Sequence, residues 1–201
     1  MGVIQDVFAR QILDSRGNPT VEVEMSDGTS VVRSSVPSGA STGSYEAHEL
    51  RDNDPQKYLG KSVYKAVEKI NTFLGKELKG MDPVDQESLD KKLIDLDGTE
   101  NKSNCGANAL LGISMAATRL GAKTKNVQLY THISQLYGTT PKLPRPMCNI
   151  INGGKHADSG LAVQEFMIFP KKESFSRNLQ VSVEVFHHLK QSIHDVRNIT
   201  G

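Results

Sequence analysis

The chain has 201 residues, of which 37% are hydrophobic and 23% charged, and a net charge of +1. That length allows one sizeable core or two small ones. So even a charge balance sets up no global field for nucleic acid or an anionic surface, and no apolar run approaches the roughly 18 residues of a membrane span. The opening MGVIQDVFAR has no apolar signal-peptide stretch, and Asp6 stands where myristoylation needs Ser or Thr. A cytoplasmic protein is the expectation, which makes the sequons at Asn101 and Asn198 chance occurrences. Cys105 and Cys148 belong to no CxxC pair and are expected to be buried free thiols.

The first third reads as strands. VIQDVFARQIL is rich in β-formers, and TVEVEM alternates strictly, with Val21, Val23 and Met25 on one face and Glu22 and Glu24 on the other. Asp27-Gly28 is a hairpin signal, and SVVRSSV returns as a third strand, so a three-stranded antiparallel meander is predicted. The middle reads as helices. Between Lys57 and Leu78, Val63, Val67, Ile70 and Leu74 share one helical face. In MDPVDQESLDKKLIDLDG, Asp82 is the expected N-cap, Pro83 the first helical residue and Gly98 the stop. GANALLGISMAATRLGAK is small and apolar nearly all round and is expected to be buried. NVQLYTHISQLYG is a fourth helix ending at Gly138.

The proline-rich GTTPKLPRP suggests a boundary between residues 1–138 and 139–201. Beyond it, MCNIIN and AVQEFMIF read as short strands, and SFSRNLQVSVEVFHHLKQSIHD as an amphipathic helix through Leu179, Val183, Phe186 and Ile193. Two strands and one helix do not close a core alone.

Two stretches could carry chemistry. VPSGASTGSYE (36–46) is expected to leave its backbone N–H groups and the hydroxyls of Ser38, Ser41, Thr42 and Ser44 free to close on a phosphate or a hard cation. It lacks the Gly-Lys-Ser/Thr ending of a P-loop, and a surface turn is the plain alternative. In GGKHADSGLAVQEF (153–166) the glycines allow close approach to a ligand, His156 could hydrogen-bond an anion, and Glu165 could carry a proton. Gln164 and Glu165 interrupt an apolar run, and adjacent strand residues face opposite ways, so one of the two should point inward and need a partner. Simple exposed polarity is the competing reading. His187 and His194 share a helix face without a carboxylate at useful spacing, and His48 and His132 offer nothing more.

DSRGNPTVEVE (14–24), VPSGASTGSYEAHELRD (36–52), GANALLGISMA (106–116) and NIINGGKHADSGLAVQEFMI (149–168) together resemble the enolase family, collinearly and over essentially the whole chain. The resemblance implies an α+β N-terminal domain, with a three-stranded antiparallel meander plus a helical cluster, followed by the truncated start of a β/α barrel. It implies the phosphopyruvate hydratase reaction, a reversible dehydration of 2-phosphoglycerate to phosphoenolpyruvate. Mg²⁺ (two per active site in the family), a homodimer, and no nucleic-acid partner are implied with it. Ser41 matches the serine that ligates the second magnesium. His156 matches the histidine beside the phosphate and leaving hydroxyl, and Gln164 the glutamine lining the substrate pocket. Glu165 matches the acidic residue that works near that hydroxyl with a second glutamate. That glutamate, the base lysine and the main Mg²⁺ ligands have no match in these residues, so the 201-residue chain is expected to be inactive alone. The alternative is a non-catalytic binding or structural protein derived from the enolase fold, such as a surface adhesin or a crystallin-like protein.

Overall fold

The computed structural model describes residues 2–39, 43–154 and 156–197. The chain divides into two compact units, Met1–Pro141 and Lys142–Gly201.

The first unit opens with β1 (Asp6–Leu13), β2 (Pro19–Ser26) and β3 (Val31–Ser35), an antiparallel meander in the order β1-β2-β3. Val23 stands opposite Ala9 on one side and Ser34 on the other. The period-2 pattern places Val7, Ala9, Val21, Val23, Met25 and Val32 in the core. The other face carries a charge ladder, in which Arg10 reaches Glu22 at 2.6 Å and Glu24 at 3.0 Å, and Arg33 reaches Glu24 at 2.7 Å.

Helices follow: α1 (Tyr64–Lys69), a π turn (Ile70–Leu74) that leads into α2 (Gly75–Glu77), then α3 (Gln86–Asp97), α4 (Ala107–Thr124) and α5 (Leu129–Leu136). α4 lies on the sheet and is buried along most of its length. Gly112 sets that distance, because a Cβ there would stand 2.7 Å from Val23 and 3.1 Å from Val36.

Two helix starts differ from the sequence expectation. The helix expected from Lys57 begins at Tyr64, because Tyr58, Leu59 and Gly60 all take positive φ. Its first N–H groups, those of Tyr64 and Lys65, donate to the carboxylate of Asp52 at 3.0 and 2.9 Å. A cap twelve residues upstream leaves no local signature. α3 is capped by Asp85, which accepts from the Ser88 N–H at 3.1 Å, rather than by Asp82. Asp82 accepts from Val84 at 2.9 Å and holds Pro83 in a turn ahead of the helix. The C-terminal expectation holds, with Gly98 left-handed at φ 69°.

Asn71 bonds both the N–H and the carbonyl of Ala9 at 2.7 and 3.0 Å, satisfying the free edge of β1. Gly75 then passes so close to β1 that a Cβ would stand 3.1 Å from the side chain of Val7.

The second unit pairs β4 (Cys148–Asn152) with β5 (Glu165–Ile168) in an antiparallel ribbon with an irregularity between Asn149 and Ile151, followed by α6 (Phe175–Arg197). Asn178 is buried, and its side chain bonds the N–H and the carbonyl of Lys172 and the carbonyl of Ser174, fixing the turn into α6. The apolar stripe read from the sequence stands open within this unit, with Leu179, Val183, Phe186 and Ile193 all exposed. Cys105 is buried as expected, whereas Cys148 is only half-buried; both are free thiols.

Candidate functional site

The turn after β4 is built on glycine. Gly153 has no space for a side chain, since a Cβ would sit 2.3 Å from the Val163 carbonyl and 2.7 Å from the Leu161 side chain. Gly154 takes φ +56°. Their N–H groups donate to the carbonyls of Gln164 and Leu161 at 2.9 and 2.8 Å, so the ladder runs past Asn152 opposite Glu165 and into the loop. The glycines permit the close approach of residues 161–164 of the chain itself.

This folding of the loop brings His156 back over the start of β5. His156 Nδ1 lies 2.7 Å from Glu165 Oε1, and its Nε2 lies 3.0 Å from the Gln164 side-chain amide nitrogen. A neutral imidazole with its proton on Nδ1 donates to the carboxylate and accepts from the amide, satisfying all three groups. The expectation that Gln164 and Glu165 face opposite ways is not met. Gln164 precedes the regular strand, and both side chains converge on the one ring. Neither is deeply buried: the side chains of His156 and Glu165 are 30% and 28% exposed. An exposed pair of this kind contributes little to stability. Its geometry orients the Glu165 carboxylate against the imidazole ring.

Ser41 and Thr42 lie outside the described residues. Ser38 is not free as expected. Its hydroxyl stands 3.2 Å from Glu49 and 3.1 Å from Arg51, and its carbonyl accepts from Arg16 at 2.8 Å. Arg51 also reaches Glu49 at 2.8 Å and the Pro19 carbonyl at 3.1 Å. The stem of the 36–46 loop is thus clamped by two arginines that come from outside it.

Elsewhere, burial and the charge of Asp97 push the Cys105 thiol up, which makes it a poor nucleophile. His194 Nδ1 stands 3.5 Å from its neighbour Asp195, a contact of no structural weight. His132, set aside on sequence, is fully buried on α5 with neither ring nitrogen hydrogen-bonded among the described residues. Its only sequence signal is its place in the apolar run of that helix. Among the described residues no group of three or more His, Cys, Asp or Glu side chains is placed to hold a metal ion, and no helix is long and apolar enough to cross a membrane.

A sheet-and-helix unit followed by a strand ribbon with a His–Glu–Gln cluster defines an α+β protein running into the start of a barrel. Residues 4–133 match the family model described as Enolase, N-terminal domain, and residues 140–199 match Enolase, C-terminal TIM barrel domain. The chain belongs to the enolase family.

Proposed function

We propose that these residues form one wall of a site for the reversible dehydration of 2-phosphoglycerate to phosphoenolpyruvate. The observation that carries this reading is the engagement of both His156 ring nitrogens, by Glu165 and by Gln164, within a chain whose family is that of enolases.

The reaction removes a proton from the carbon beside a carboxylate and hydroxide from the next carbon. In this reading Glu165 faces the departing hydroxyl. His156 holds the carboxylate by its Nδ1 proton and lies beside the phosphate, while the Gln164 amide keeps the ring from rotating. Ser41 is the residue proposed to meet Mg²⁺, the cation that the family resemblance implies and that would neutralise the charge developing on the substrate carboxylate. The described donors do not fit such a site: Glu165 is a single carboxylate already engaged by an imidazole, whereas Mg²⁺ takes an octahedron of oxygens. What this chain contributes is orientation and proton handling. Homodimerisation and a cytoplasmic location belong to the same proposal.

Among the described residues, the cluster's one carboxylate does not complete an acid–base pair. The purified 201-residue chain, given 2-phosphoglycerate and Mg²⁺ in an absorbance assay for phosphoenolpyruvate, is expected to match the no-enzyme control; turnover above it would sink this division of labour. Joined to the remainder of an enolase barrel, the same residues are expected to support turnover. Glu165→Gln should then cut kcat by about 10²–10⁴-fold, the range of a general acid–base group. Full activity in that variant would remove Glu165 from the mechanism.

A further inference from the structure

The pair Asn152-Gly153 is the only Asn-Gly step in the chain. It sits where β4 hands over to the glycine turn, with Asn152 directly opposite Glu165 of the His156 cluster. We propose that Asn152 is a self-modification site, at which deamidation through Gly153 rewrites the charge and backbone of the His156–Gln164–Glu165 cluster.

The chemistry needs only water. The backbone nitrogen of Gly153, once deprotonated, attacks Cγ of Asn152, forming a C–N bond. The side-chain amide leaves as ammonia and a five-membered succinimide remains. Water then opens the ring at either carbonyl, giving aspartate or isoaspartate. A glycine in the second position removes the Cβ that otherwise hinders the attack. At most sites such a glycine could be exchanged; here it cannot, because a Cβ on Gly153 would collide with the Val163 carbonyl at 2.3 Å. The fold that builds the turn therefore imposes the glycine half of the labile dipeptide.

Two contacts hold the reaction back in the closed ribbon. The Gly153 N–H donates to the Gln164 carbonyl at 2.9 Å, and Asn152 Oδ1 accepts from the Asn149 side-chain amide at 2.6 Å. Both belong to a two-stranded ribbon, a structure of marginal stability on its own. Asn152 itself is exposed, so water reaches the succinimide. Local opening of the ribbon is the gate.

The products act directly on the site. Asn152 stands opposite Glu165 in the ladder, so either product sets a second carboxylate against the first, an unfavourable cross-strand pair. Isoaspartate also adds a methylene to the main chain and shifts Gly153 away from Gln164. Both changes loosen the residues that orient His156. None of this depends on which reaction the site performs, so failure of the dehydratase reading leaves it standing.

The test is to incubate the purified 201-residue chain at mildly alkaline pH, with and without urea, and map aspartate and isoaspartate by peptide mass spectrometry and chromatography. His156 ring signals are followed by NMR in the sample without urea. Asn152 should convert ahead of Asn104 and Asn126, which precede bulkier residues. Conversion should be faster in urea, and the His156 signals should shift in step with it. Asn152→Gln should abolish the modification. Wild-type Asn152 that keeps its amide without urea while converting in urea would overturn the proposal. So would conversion no faster than at Asn104 and Asn126, or conversion that leaves the His156 signals unmoved.

Discussion

At the scale of single residues, the two informative histidines behave in opposite ways. His156 has both ring nitrogens engaged and stands partly in water, while His132 is fully buried with neither engaged. Burial and the nearby charge of Lys125 lower the His132 pKa, which favours the neutral imidazole in the folded chain. In the unfolded chain the same imidazole takes up a proton below about pH 6.5. The unfolded state then binds more protons than the folded one, and stability rises with pH through that window. Urea midpoints should be flat above about pH 7 and fall as pH drops through about 6.5. His132→Leu, which keeps the packing apolar, should flatten the fall; an unchanged profile would show that other groups carry it. For Glu165 the expectation is different. An exposed pair is worth about 0.2–1 kcal/mol, so Glu165→Gln should change the unfolding free energy by no more than that. A larger loss would mean that the pair holds the second unit together.

At the scale of elements, the helix starts show what a local pattern can reach. The apolar spacing of Val63, Ile70 and Leu74 correctly marks a buried face, and Gly98 correctly marks a stop. The start of α1 was not legible, because Asp52, the group that satisfies its N–H donors, comes from a distant loop. Burial pushes the Asp52 carboxyl up, yet the N–H groups of Lys65 and Tyr64 hold it below the usual range. Its contribution is therefore present above about pH 4 and is lost as pH falls through the lower folded value. Asp52→Ala should cost about 1 kcal/mol, the worth of an N-cap, read as a lower urea midpoint with an unchanged slope. A neutral result would show that water replaces the carboxylate. In the same way Gln164 and Glu165 were assigned opposite faces by strand alternation, which fails because regular pairing begins only at Glu165.

At the scale of the whole molecule, the two units differ in how they bury their apolar residues. The first has a continuous core from Ile4 to Leu120, with side chains such as Ile113 and Leu120 fully enclosed. Each such side chain is worth about 1.5–3 kcal/mol on burial. The second leaves Phe166, Met167, Phe169 and Phe175 exposed, as well as the stripe of α6. Amide exchange in the 201-residue chain should therefore be much slower across residues 107–124 than across 148–168. Equal protection would show that the second unit is held by more than its visible contacts.

The meander and the buried helix α4 are legible in the sequence by itself, as is the closeness of His156, Gln164 and Glu165 within one short stretch. Those features repeat at short, fixed periods or stand next to one another in the chain. Only the tertiary structure decided that Asp52 caps α1, that Arg16 and Arg51 clamp Ser38, and that one imidazole gathers both Gln164 and Glu165. It also decided that His132 is enclosed without a partner. The physical reason is range. Periodicity and turn chemistry act within a few residues, whereas hydrogen-bond partners and burial depend on which distant segments the fold brings into contact.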